Sequence, residues 1–154
     1  MWKGLTIATC AVLATGIRAQ GVREGAPPGR YGIEARLKKY PQGTPKEALA
    51  SVLAAIEENN FSYLLAHLAD PEFVDKRVKE VHRGQFDELV KEISAKIIDS
   101  PASVKQLEQF LKAGDWEDKG NTAVAKLKDL KDQQVFFRKI GNRWFMENRQ
   151  KEEK

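Results

Sequence analysis

Cysteine is almost absent from this chain. Cys10 stands alone, so no intrachain disulfide can form and no paired-cysteine motif can hold a metal. Histidine is nearly as scarce: His67 and His82 lack the short spacing from which a tetrahedral zinc site is built. There is no glycine-rich phosphate loop and no glycine-flanked serine elbow, so nucleotide-dependent and serine-hydrolase chemistry have no footing. No apolar run reaches the roughly twenty residues that a membrane-spanning helix needs. Neither sign of charge dominates, with 26 Lys and Arg against 22 Asp and Glu. A balanced, heavily charged surface points to solubility, whereas a nucleic-acid partner requires cations gathered on one face. These residues call for no metal or other cofactor.

What is present begins with Lys3, an uncharged run from Gly4 to Ile17, and a short Arg18-Ala19-Gln20-Gly21 exit. That is the layout of a secretory signal peptide over 1–19, with cleavage expected after Ala19. The protein is then exported, to a periplasmic or extracellular setting, and carries no transmembrane helix after cleavage. Two other readings of the segment stay open, an uncleaved anchor and acylation at Cys10, although Ile7-Ala8-Thr9 is a poor lipobox. Removing Lys3 and Arg18 takes the 26 basic side chains to 24 against an unchanged 22 acidic. Cys10 leaves with the signal, so the mature protein must rely on a packed core.

From 20 to 43 glycine and proline gather, and Ile33, Leu37 and Tyr40 recur without a sustained period. This composition reads as a flexible tether, with docking of a short turn around Ile33 to Leu37 as the alternative. A single domain is expected over 44–149, followed by a charged tail over 150–154. Its opening, Thr44-Pro45-Lys46-Glu47, is a capping box with proline at the first helical position. Leu49, Val52, Leu53 and Ile56 continue at three- and four-residue spacing, and Phe61, Leu64, Leu65 and Leu68 resume the period in a second short helix.

Asp70-Pro71 and Ser100-Pro101 repeat the device of a capping residue followed by proline. Val74, Val78 and Val81 form one stripe, and Phe86, Leu89, Val90, Ile93 and Ile97 form another beyond a break at Gly84. Val104, Leu107, Phe110 and Leu111 make a last amphipathic helix, which a left-handed Gly114 is expected to end. The pattern then alternates. Trp116 to Lys119 is expected to pair with Thr122 to Leu127, and Val135 to Ile140 with Arg143 to Asn148 across Gly141-Asn142. The fold class is therefore α+β, with N-terminal helices packed on a curved, cone-like antiparallel meander of about four strands.

The helix start at Thr44 to Ala48 and the terminal hairpin with Gly141-Asn142-Arg143-Trp144 frame a chain that resembles the nuclear-transport-factor-two-like (NTF2-like, SnoaL-like) superfamily, in particular its small exported bacterial members. The resemblance runs from about Thr44 to Arg149, and the long helical middle from Pro71 to Gly114 departs from it. It implies a sheet wrapped around helices with a cavity used for small-molecule binding, catalysis or dimerisation. The superfamily's ketosteroid isomerase and scytalone dehydratase families place an Asp or an Asp-His pair in that cavity. Neither family's motif matches positions here.

The residues themselves offer three readings of function. The aromatic inventory is rich and the titratable one poor, which favours a non-catalytic binding or interaction module. Trp116, Phe137, Trp144 and Met146 are its expected contacts, with a small apolar ligand or an envelope protein as partner. The same four side chains could instead fill the core or form a homodimer face. The catalytic alternative is an isomerase- or dehydratase-like enzyme using His67 and Asp70 with Tyr63 nearby. Lys126, Lys128, Arg138, Lys139 and Arg143 interleave with Phe136 and Trp144 as in single-strand binders. Strand lysines commonly protect an edge, however, and export makes nucleic acid an improbable client.

Overall fold

A computed structural model describes residues 27–149. The expected signal peptide, the first part of the expected tether and the charged tail lie outside the described residues. Among the described residues no helix is long and apolar enough to cross a membrane.

The first helix, α1 (Pro45–Glu57), starts where the capping box places it. Thr44 Oγ1 accepts the Glu47 N–H at 3.1 Å, and the Glu47 carboxylate accepts the Thr44 N–H at 3.1 Å. Its buried stripe is Ala48, Leu49, Val52 and Ala55. Asn59, with φ of 55°, turns the chain, and Asn60 Oδ1 accepts the Tyr63 N–H to cap α2 (Phe61–Tyr63). This short helix widens into a π-helical turn over Leu64–Leu68, in which the Ala69 N–H reaches back five residues to Leu64 O at 2.9 Å. The apolar period suggested an amphipathic helix here. Instead, every residue from Tyr63 to Leu68 is buried, as befits an element covered on all sides.

Asp70 caps α3 (Pro71–Glu80) by accepting the Glu72 N–H. Val74 and Val78 are buried, whereas Val81 lies past the helix end and is exposed. Helices α4 (Phe86–Ile98) and α5 (Pro101–Ala113) follow, joined at Asp99-Ser100. Gly114 does not end α5 in the left-handed region, because its φ and ψ are −69° and 139°. The reason for glycine is space: a Cβ there would stand 2.3 Å from Phe110 O.

The sheet is an antiparallel meander in the order β1 (Asp115–Asp118), β2 (Thr122–Leu127), β3 (Leu130–Ile140) and β4 (Arg143–Glu147). Strand β3 begins five residues earlier than expected, after a register shift between Lys126 and Leu127. Gly141, at φ of 60°, makes the last hairpin turn, a conformation that costs glycine little. Ala123, Ala125, Phe137 and Trp144 form a core with Ala48 and Leu49 of α1 and Phe110 of α5. On the opposite face Phe145 is 2 % exposed, with the Arg143 guanidinium 4.9 Å from its ring centre. A second core gathers α1, the π-helical turn, α3 and α4 around Val52, Leu64, Val74 and Leu89.

The stretch expected as a tether over 20–43 is, from Arg30 onward, a packed arm. Arg30 and Ile33 exchange backbone hydrogen bonds, Tyr40 is 0 % exposed, and Gln42 is buried. Gln42 closes the open side of β4, since its carbonyl accepts the Trp144 N–H at 3.0 Å and its Nε2 donates to Trp144 O at 2.8 Å. Further along the same edge, the Asp70 N–H donates to Met146 O at 2.9 Å.

Candidate functional site

The half-buried stripes of α4 and α5 do not close on each other. Ile93 and Ile97 on one helix and Val104 and Leu107 on the other bound a cleft of about 380 Å³. Val52 and Ile56 of α1 and Leu64 and Leu65 of the π-helical turn make further wall. Ala69, Phe73 and Met146 complete it. Polar groups come from Lys96, Ser100 and Ser103 at the α4–α5 corner and from Glu147 and Asn148 after Met146. The lining is otherwise aliphatic or aromatic, which is the composition of a site for an apolar molecule.

Two of those polar groups are already engaged. Lys96 Nζ lies 2.5 Å from Glu92, and Glu147 accepts a hydrogen bond from Arg149. Glu92 also receives Arg77 at 2.7 Å and His82 Nε2 at 2.8 Å. Hydrogen bonds from Lys96 and then Arg77 hold its carboxyl down at about 2. His82 thus joins Arg77, Glu92 and Lys96 in a hydrogen-bonded cluster that ties α3 to α4.

The catalytic alternative needs His67 and Asp70 together, and the structure holds them on different partners. His67 is fully buried, with Nε2 2.7 Å from Ile33 O. Asp70 Oδ1 lies 2.7 Å from Arg138 Nη2 and caps α3. Tyr63 stacks between Tyr40, with ring centres 4.3 Å apart, and His67, at 5.0 Å; its hydroxyl accepts the Arg36 N–H at 2.8 Å. Burial lowers the His67 pKa and raises that of Tyr63. None of the three residues lines the cleft.

Of the four expected contact residues, Met146 lines the cleft. Phe137 and Trp144 are buried between the sheet and α1, and the ring of the half-buried Trp116 lies 5.6 Å from that of Phe137. These three fill core. Ile93, Ile97, Val104 and Leu107, which the sequence shows only as helical stripes, line the cleft as well, and one signal in the sequence points to them. Two consecutive helices carry wide apolar stripes, while the sheet that follows supplies a core partner for only part of that surface.

Fold and site together define an α+β domain whose helices precede a four-stranded antiparallel meander and enclose an apolar cleft. No protein family, curated protein or solved structure matches the chain.

Proposed function

We propose that this chain is an exported, non-catalytic binding module that holds a small apolar molecule in the cleft between α4 and α5. The observation that carries the reading is a cleft of about 380 Å³ walled by aliphatic and aromatic side chains, with its polar groups confined to a few positions. An apolar cavity of about 150 Å³ takes up benzene, so this one has room for roughly a dozen to fifteen non-hydrogen atoms. Export rests on the Lys3 to Gly21 layout. Membership of the NTF2-like superfamily belongs to the same proposal, supported by the helices-then-meander order and by the Thr44 and Gly141 signatures.

Titration calorimetry with an alcohol or aromatic of that size tests it. Saturable binding with a negative heat-capacity change is expected, along with its loss when Leu107→Trp fills the cleft of a folded variant. Binding undiminished in folded Leu107→Trp would place the ligand elsewhere, and no binding across the series would remove the proposal.

A further inference from the structure

The arm from Arg30 to Gly43 is fastened by the buried Tyr40 ring, by Ile33 packed on the same core and by a set of polar contacts, one of which ends on a titratable ring. His67 is 0 % exposed, and its Nε2 meets Ile33 O at 2.7 Å. A carbonyl can only accept, so Nε2 carries the hydrogen and the neutral ring presents Nδ1 as a bare acceptor. That atom is buried and has no hydrogen-bond partner among the described residues. Protonation there creates an imidazolium in a dry site with one N–H unanswered, a costly combination.

The groups around the ring deepen that cost. From its own helical segment the Tyr63 ring packs 5.0 Å away, with its hydroxyl committed to the Arg36 N–H. The arm contributes Arg30, whose Nε donates to Ala66 O at 2.8 Å, and β4 contributes Arg143, 3.5 Å from Gln42 Oε1. Both cations oppose a third positive charge. Of the carboxylates near the arm, Asp75 of α3 is held by Arg30 and the Tyr31 hydroxyl and Glu58 after α1 by Lys39 and the Tyr40 hydroxyl, while Glu34 on the arm itself is exposed to water.

We infer that His67 is an acid-operated clasp, which fastens the Arg30–Gly43 arm through Ile33 while neutral and releases it when protonated. The released state regains water around the imidazole and therefore binds the proton more readily. Arm docking is complete above the ordinary histidine range near pH 6.5 and weakens as the pH falls below it. Glu58, which also anchors the arm, is held below the ordinary carboxylate range by hydrogen bonds from Lys39 and then Tyr40, so the interval from pH 7.5 to 5.0 reads the histidine. The inference stands independently of what the cleft holds.

Amide hydrogen exchange on the whole protein, corrected for the intrinsic pH dependence, reads the clasp directly. The amides of Ile33, Arg36 and Tyr40 are expected to lose roughly tenfold in protection between pH 7.5 and 5.0, while Val52 and Leu53 in α1 keep theirs. His67→Gln retains an N–H donor for Ile33 O and cannot take up the proton, so its arm is expected to stay protected across the interval. Flat arm protection in the wild type, or the same loss in His67→Gln, would overturn the clasp. Should that variant fail to fold, nitrogen NMR of the wild-type imidazoles decides. The midpoint of arm opening must coincide with the titration of His67 from a neutral Nε2–H form. A midpoint that follows His82 instead, or a neutral ring protonated at Nδ1, contradicts the inference.

Discussion

Trp144 touches sheet, helix and arm at once. It is 3 % exposed, its ring lies in the core with Phe137 and Leu49, and its backbone pairs with Gln42. Trp144→Ala is expected to cost about 3–5 kcal/mol in urea unfolding, the range for removing a buried aromatic. An unchanged midpoint would mean that the ring is not packed. At this scale the sequence was legible wherever a residue's role is local. Thr44 and Glu47 need only each other and the first turn of α1, and they form the capping box that their spacing announces. Asp70 was read as a cap and as a partner of His67, and only the local role holds. Its other partner, Arg138, is 68 positions away, a distance over which one chain gives no sign. The glycine at 114 was recognised as a helix end for a different physical reason than the one that operates. The crowding of Phe110 O, not a positive φ, excludes a side chain there.

Among the elements, the arm is where composition misled. Glycine, proline and unpatterned apolar residues suggested a tether over 20–43, yet Tyr40 and Gln42 are buried and Arg30 forms a two-point contact with Asp75. The arm is neither helix nor strand, so no period could mark it, and both its rings and its polar groups find partners far away in sequence, Tyr31 on Phe86 and Arg30 on Asp75 and Ala66. Deleting 27–43 is expected to lower the thermal midpoint by many degrees, because it bares Tyr63 and His67 and uncovers the edge of β4. Differential scanning calorimetry checks this, and a midpoint within a degree or two of the parent would return the segment to the status of a tether. The helices, by contrast, declared their starts through Thr44-Pro45, Asp70-Pro71 and Ser100-Pro101, and all three begin at the proline. The early start of β3 escaped notice because its first residues, from Lys131 to Gln134, are polar. Leu130 pairs with Leu127 and Gln134 with Lys126, so the register shift in β2 carries the strand across this polar stretch.

For the molecule as a whole, the order of helices before a meander follows from the change of period near Asp115, and the sheet order follows from the short turns at Gly120 and Gly141. The cleft was not legible in the same way. A stripe such as Ile93, Ile97, Val104 and Leu107 shows that a face is apolar, but whether it meets protein or a space depends on the angle between two helices. The aromatic residues that drew attention, Trp116, Phe137 and Trp144, were conspicuous because they are large, and large rings are what a core between sheet and helix consumes. The account turns on whether the cleft has an occupant. Native mass spectrometry of the protein, purified gently from the cells that make it and repeated after denaturation, tests it most directly. The account predicts an additional mass of roughly a dozen to fifteen non-hydrogen atoms that disappears on denaturation and is missing from folded Leu107→Trp. Bare protein, or a mass that Leu107→Trp retains, would contradict it.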